Sequence, residues 1–381
     1  MNRNLSSENK ADFLRRGFTR RSFGRISALL GAGAALPFYN EFALAQLSRI
    51  GPLPPGAVKI NANENPLGPC PEALEALYQT ARNGGRYQYE ETFTFARTLA
   101  ESEGLEPANV APFAGSSDPL HRTILAYASP TKSLVMAEPG YEAGERAARF
   151  VGAPVHKVPL TNDYKHDVKA MVHADPNAGV IYICNPNNPT GTVTPRAELE
   201  YVLENKPAGS IVLLDEAYIH FTDEPYATDL VAKGKDLIIL RTFSKLYGMA
   251  GLRAGAAIGR PDLLEKIRSY GAGALPCTGM AAATASLCCK DLVAQRRKLT
   301  KELREEQFAF LSKHGIEYVP SVSTKFMMRS PMPASDLIQA LAAEKVYVGR
   351  VWKVWPNHVR VSIGTAEEME KFQKALVKVL S

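Results

Sequence analysis

The sequence is short of several things. Cysteine is scarce, with five in 381 residues; so small and odd a number excludes a disulfide scaffold and full intramolecular pairing. No apolar run reaches the roughly 20 residues that span a bilayer, and there is no internal repeat or low-complexity linker. An excess of one charge is also missing from most of the chain. Residues 1–45 hold seven Lys/Arg and three Asp/Glu, whereas the remainder holds 38 basic and 36 acidic side chains. The body is nearly neutral, so nothing points to a nucleic-acid partner. The seven histidines, His121 and His220 among them, lack metal-ligand spacing, and no metal is predicted. What is present is 45% hydrophobic and 22% charged, the composition of a globular protein with length for two or three domains and a sizeable core.

The first 45 residues read as an address. Thr19-Arg20-Arg21-Ser22-Phe23-Gly24-Arg25 puts paired arginines before an aromatic, and a short Gly/Ala-rich apolar stretch runs from Ile26 to Pro37. Ala43-Leu44-Ala45 follows as a small-x-small cleavage site. The segment resembles a twin-arginine export signal, which implies cleavage after Ala45 and a periplasmic or secreted product. That route carries folded proteins, which suits a protein that loads its cofactor before leaving the cytoplasm. It also means that Cys70, Cys184, Cys277, Cys288 and Cys289 need not form disulfides even at an oxidising destination.

In the body, Ser48 to Val58 is Pro/Gly-rich and reads as an extended arm. A helix is expected from Pro71, with proline in the first turn and Ala73, Leu74, Ala76 and Leu77 behind it. The runs Ser133–Ala137, Val180–Cys184, Ile211–Leu214, Leu237–Leu240 and Ala254–Ile258 read as strands. They are nearly continuous in apolar residues, as strands covered on both faces are. Helical patterns such as Arg196–Asn205 and Asp262–Tyr270 lie between them, so the class is α/β with a mainly parallel sheet flanked by helices. A long helical stretch from Met280 to His314 then leads to short strands (Phe326–Arg329, Val346–Val348, Val359–Ile363) and a last helix, Ala366 to Leu380. The organisation expected is a leader (1–45), an N-terminal arm that belongs to a small domain (46–75), a large cofactor-binding domain (76–276) and a small α+β domain (277–381). Cys288-Cys289 is expected on a helix as small core residues, and Arg296-Arg297-Lys298 with Glu305-Glu306 as a solvated helix face.

Ligands of open parallel sheets sit beyond the carboxyl ends of the strands, and chemistry collects there. Asn185-Pro186-Asn187-Asn188-Pro189-Thr190-Gly191 follows one strand, Asp215-Glu216-Ala217-Tyr218 the next, and Arg241-Thr242-Phe243-Ser244-Lys245 the third, with Arg253 eight residues on. A lysine in a partly desolvated pocket can form a Schiff base, and pyridoxal 5'-phosphate is the cofactor that needs one. A carboxylate at the end of an apolar strand, Asp215, is placed to keep its ring nitrogen protonated. Gly115-Ser116-Ser117-Asp118 opens a helix and offers backbone N–H groups and hydroxyls to a phosphate; Arg253 offers a bidentate cation, helped by Ser244 and Thr242. Asn188 and Tyr218 can hydrogen-bond the ring oxygen, and Tyr141 can stack on the ring or pack in the core.

Taken together, these strings resemble the fold type I pyridoxal-phosphate-dependent class I/II aminotransferases, and within them histidinol-phosphate aminotransferase and its amino-acid aminotransferase relatives. Asn61-Ala62-Asn63-Glu64-Asn65-Pro66-Leu67-Gly68 and Val359-Arg360-Val361-Ser362-Ile363-Gly364-Thr365 complete the set, and the likeness runs from about Lys59 to the C-terminus. The resemblance implies that Lys245 carries the cofactor aldehyde and then moves the substrate proton, and that Asp215 holds the ring nitrogen. It implies that Asn188 and Tyr218 touch the ring oxygen and that Ser116, Ser117, Ser244 and Arg253 bind the phosphate. Tyr87 matches a position that reaches the neighbouring subunit's phosphate, which implies a homodimer. Arg360 matches the arginine that grips the substrate α-carboxylate, Arg350 a position used for a distal substrate phosphate, and Asn63 the segment that covers the substrate. The implied reaction moves an amino group from an L-amino acid, of the histidinol-phosphate or aromatic type, to a 2-oxo acid such as 2-oxoglutarate.

Three departures fall near the substrate. Leu67 stands where the family often has tyrosine, Lys325 where it often has asparagine, and Gln88-Tyr89-Glu90-Glu91 replaces its usual Pro-Asp. Together with export, they favour an amino-acid aminotransferase over a dedicated biosynthetic enzyme. A lyase, racemase or oxidase on the same scaffold is the alternative, since the cofactor motifs are shared by all of them. Trp352 and Trp355, flanking Lys353, are expected to pack or to wall the pocket.

Overall fold

The computed structural model describes residues 7–19, 22, 53–270 and 274–381. The arginine pair Arg20-Arg21, the apolar stretch after it and the Ala43-Leu44-Ala45 site lie outside the described residues. Of the segment before the arm, helix Ser7–Arg15 is described, together with Arg16, whose guanidinium donates to the Leu125 and Ala128 carbonyls at 2.8 and 3.1 Å. Among the described residues no helix is long and apolar enough to cross a membrane.

Seven strands form the main sheet: β2 (Val110–Phe113), β3 (Ser133–Glu138), β4 (Val155–Pro159), β5 (Ala178–Cys184), β6 (Ile211–Asp215), β7 (Leu237–Thr242) and β8 (Gly255–Gly259). Their order is β2-β8-β7-β6-β5-β3-β4, and every pairing is parallel except those of β8 with β2 and β7. Strands β5, β6 and β7 are buried along their whole length, because helices cover both faces, and this is why their sequences run apolar without alternation. The sheet's two end strands are the ones that sequence pattern does not reveal. β2 carries Pro112, tolerated at a sheet edge, and β4 places the polar pair His156-Lys157 at its centre with only Val158 buried.

The small domain is built from a three-stranded antiparallel sheet, β12-β10-β9, of β9 (Tyr318–Val319), β10 (Lys325–Arg329) and β12 (His358–Ser362). A parallel pair joins β1 (Val58–Ile60) to β11 (Val346–Val348), with Val58 opposite Val346. Val58 and Ile60 share a core with Phe326, Val361, Phe372 and Leu376. The arm thus belongs with the C-terminal sheet at this end, whereas Cys70 and Ala73 lie in the core under the large sheet.

Three expectations need correction. The stretch from Met280 to His314 is two helices, Cys277–Cys288 and Leu292–Lys313, since the backbone turns extended at Cys289. The first of them packs on the Pro71–Arg82 and Tyr89–Ser102 helices, and its Met280, Ala282 and Ala283 lie in the large core rather than the small one. Cys288 is exposed and Cys289 half-buried, so neither is a core residue. Arg296 is not on a solvated face: it is 8% exposed and donates to the Leu246 carbonyl at 2.8 Å and the Gly68 carbonyl at 2.7 Å. Gly248 explains how closely the arm approaches there. Its φ is +69, and a Cβ on it would run into the Gly68 carbonyl.

Candidate active site

The chain's path across the sheet reverses between β3–β4 on one side and β5-β6-β7 on the other, which leaves a crevice at their carboxyl ends. A cavity of about 270 Å³ opens there. Its walls include Ser116, Ser117, Tyr141, Asn188, Asp215, Tyr218, Thr242, Ser244, Lys245 and Arg253. Ten residues scattered over 138 positions of sequence meet because parallel pairing aligns the strand ends, with Cys184 opposite Asp215 and Asp215 opposite Leu240.

Asp215 sits at the floor, 3% exposed. Its Oδ1 accepts the Ala217 N–H at 3.1 Å and its Oδ2 accepts the Tyr182 hydroxyl at 2.9 Å. Burial pushes its carboxyl above the ordinary aspartate value, against those two hydrogen bonds and the charges of Lys245 and Lys325. A buried carboxylate in this position is stabilised when a protonated ring nitrogen comes against it. Tyr182 lies within a wholly buried strand, and no sequence signal distinguishes it from a core tyrosine.

Arg253 lines the same cavity. Its guanidinium donates to the Ala114 and Ala250 carbonyls at 3.0 and 2.9 Å and to Ser244 Oγ at 3.3 Å. Among the described residues no carboxylate forms an ion pair with it. Its φ is 59, a left-handed conformation uncommon outside glycine, and a Cβ on Gly115 would collide with the guanidinium. Gly115 therefore lets the cation lie against the start of helix Ser117–Tyr127, where Ser116 is the capping residue. Cation, helix N-terminus and three serine hydroxyls together make a dianion seat. The cavity thus brings together a buried acid, an anion seat and an amine, a donor set that fits pyridoxal 5'-phosphate and its three distinct polar groups.

Lys245 Nζ stands 5.7 Å from the centre of the Tyr218 ring, and Lys245 is 8% exposed. Tyr218 is buried, with its hydroxyl 2.9 Å from Asn63 Nδ2. Asn63, brought by the arm, also accepts from Ser362 Oγ at 3.0 Å through its side-chain oxygen, and its backbone N–H donates to the same hydroxyl at 2.9 Å. Arg360 of β12 donates to Asn188 Oδ1 at 3.0 Å and to the Asn61 carbonyl at 2.7 Å. Both chain ends thus converge on the large-domain site.

Two residues named from sequence stand apart from the cavity. Tyr87 is 74% exposed and stacked on Tyr89 at 5.4 Å. Arg350 forms an ion pair with Glu142 at 2.7 Å and lies over the Trp352 ring at 4.1 Å. Trp352 is buried and donates from its indole N–H to the Gly140 carbonyl at 3.3 Å, so it packs the joint between the domains. Lys325, marked from sequence only as a departure, is fully buried with its ammonium 3.1 Å from the Tyr218 ring centre. Behind Asp215, Arg241 is bound by Glu216 at 2.6 Å and Glu103 at 2.7 Å in a fully buried triad that nothing in the sequence announces.

Comparison with known proteins agrees with this geometry. The sequence model of the family described as "Aminotransferase class I and II" matches residues 55–376. The chain is 35% identical over 337 residues to "Histidinol-phosphate aminotransferase 2" of Pseudomonas fluorescens, covering 86% of this chain and 90% of that one. It is 33% identical over 328 residues to the "Aromatic amino acid aminotransferase" of Cutibacterium acnes, covering 84% and 92%. Among solved structures it is similar to the histidinol-phosphate aminotransferase from Sinorhizobium meliloti in complex with pyridoxal-5'-phosphate, with a TM-score of 0.79, 25% identity and coverage of 90% and 95%.

Proposed function

This chain belongs to the class I and II aminotransferases, and from that premise we propose that it transfers the amino group of an aromatic L-amino acid to a 2-oxo acid, as an exported homodimer. Pyridoxal-phosphate-dependent transamination itself is the family's reaction and the chain's.

The residues divide the work. Bound pyridoxal phosphate supplies the aldehyde that takes the substrate's amine and the ring that accepts the electron pair of its Cα. Arg253, Ser116, Ser117 and Ser244 hold the phosphate. Asp215, fixed by Tyr182 and the Ala217 N–H, keeps a proton at the ring nitrogen. Asn188 and Tyr218 would hydrogen-bond the ring oxygen, and Tyr141, in the same wall, would pack against the ring. Lys245 Nζ would hold the aldehyde as a Schiff-base amine and, when free, would serve as the general base and then the general acid for the substrate's Cα proton. Arg360 grips the α-carboxylate in a bidentate pair, and Asn63, on the arm, closes over the substrate and excludes water.

One observation carries the choice of donor: the 2.7 Å pair of Arg350 with Glu142. The cation expected to meet a distal phosphate is already neutralised, and a dianion arriving there meets the Glu142 carboxylate. A donor panel with 2-oxoglutarate tests this. Phenylalanine, tyrosine or tryptophan is expected to show the highest kcat/KM, and Glu142→Gln to shift preference toward histidinol phosphate about tenfold, the size of one charge contact. Histidinol phosphate as the best donor of the unaltered enzyme overturns the reading.

The paired arginines and the Ala43-Leu44-Ala45 site support export through the twin-arginine route, and the exposed Tyr87-Tyr89 stack with Phe93 and Tyr78 supports a partner subunit that covers them. A mature N-terminus at Gln46 in a periplasmic fraction, and a dimer by light scattering that Tyr87→Ala leaves intact while phosphate affinity falls, are the expected results.

A further inference from the structure

Two thiols meet where the arm enters helix Pro71–Arg82 and helix Cys277–Cys288 ends. Cys70 caps the first helix and is 3% exposed; Cys289 caps the second and is half-buried. Their sulfurs are 3.8 Å apart, in van der Waals contact, although 219 positions separate them in sequence. The Glu72 carboxylate lies within 4.8 Å of both. Ser286 Oγ is 3.8 Å from the Cys70 sulfur, and the Cys289 sulfur is 3.3 Å from the Ala285 carbonyl.

We propose that Cys70 and Cys289 are a covalent cross-linking site, closed by exchange with a small disulfide of the glutathione class. One thiol, losing its proton to hydroxide from the solvent, attacks oxidised glutathione; the S–S bond of the reagent breaks and one glutathione leaves as its thiolate, which solvent protonates. The second protein thiol then attacks the sulfur of the mixed disulfide, and the second glutathione thiol leaves. Two protein thiols lose two electrons and two protons, and one oxidised glutathione becomes two reduced molecules. Closure needs the sulfurs to approach from 3.8 Å to a bonding distance of about 2 Å. Burial, with Cys70 and Glu72 behind it, pushes the Cys289 thiol up to about 12, so exchange is slow at neutral pH and faster in mild alkali.

The choice of Cys289 over Cys288 follows from the helix. Cys288 is the last helical residue and faces solvent, turned away from Cys70. The consequence follows from the separation: a bond closing so long a loop removes much of the unfolded chain's freedom. It also fixes the foot of the segment that carries Asn61 and Asn63, without touching a residue that holds cofactor or substrate.

The experiment uses the full chain loaded with pyridoxal phosphate. It is equilibrated at pH 8.5 in glutathione buffers from fully reduced to fully oxidised, then alkylated, digested and read by mass spectrometry. The expected product is a peptide pair joined through Cys70 and Cys289, with two fewer alkylated thiols and a higher melting temperature, all reversed by dithiothreitol and all retained in Cys288→Ser. Any of three results overturns the proposal: glutathione adducts without a joined pair, a pair joined through Cys288, or a zinc ion that copurifies with the native protein and is lost in Cys70→Ser, which makes the cluster a metal site instead.

Discussion

The Lys325 ammonium stands 3.1 Å from the centre of the Tyr218 ring. Tyr218 in turn meets Asn63 and faces Lys245, so a second buried cation lies one ring away from the reacting amine. A cation beside a titrating group favours its deprotonated form. Lys325→Met is expected to move the pH midpoint of the visible absorption change of the loaded enzyme upward by about one unit. An unmoved midpoint would mean that the charge is screened from the cofactor.

Gly248 is where the arm rests on the large domain. Gly248→Ala places a methyl against the Gly68 carbonyl and forces alanine into a φ of +69. Stability is expected to fall by about 1–3 kcal/mol in urea titration, and the KM for the amino donor to rise, because the segment carrying Asn61 and Asn63 is displaced. A variant with unchanged KM and unchanged midpoint would show that the contact is not made.

Arg241, Glu216 and Glu103 form a buried charge cluster immediately behind Asp215. Arg241→Leu strands two buried carboxylates, and a loss of about 3–5 kcal/mol is expected. Chemical denaturation reads it directly. A loss below about 1 kcal/mol would place the carboxylates in contact with water.

Acid sensitivity should have a histidine component. Burial holds His121 down at about 3 and His166 at about 4, against an ordinary value of 6.5. The unfolded chain takes up these protons below 6.5 and the folded chain does not. The stability they contribute is therefore whole above 6.5, drains as the pH falls toward 4, and is gone below about 3. Melting temperature is expected to fall across that window, and less steeply in His121→Phe. Identical slopes for the two proteins would assign the acid loss to carboxylates alone.

The sheet's central strands and the residues that line the cavity were legible because burial on both faces writes itself as unbroken apolar sequence, and because Asp215, Tyr218 and Lys245 close or follow such runs. β2 and β4 were not, since a sheet edge permits Pro112 in one and the polar pair His156-Lys157 in the other. Tyr182, Arg241 and Arg296 were hidden for another reason. Each acts through a partner far away in sequence, and a tyrosine in a strand or an arginine on a helix has the same spelling whether it meets water or a buried oxygen. Lys325 shows the middle case. Its substitution was visible in the sequence, but its place against Tyr218 depends on β10 lying beside β12.

The parallel pairing of Val58 with Val346 sets a schedule for synthesis. A ribosome has finished nearly the whole polypeptide before the strand that closes the small sheet exists. Until then the segment bearing Asn61 and Asn63 has only its large-domain contacts, such as Asn63 with Tyr218, and lacks its strand partner. Truncation from either end should therefore disable the same site.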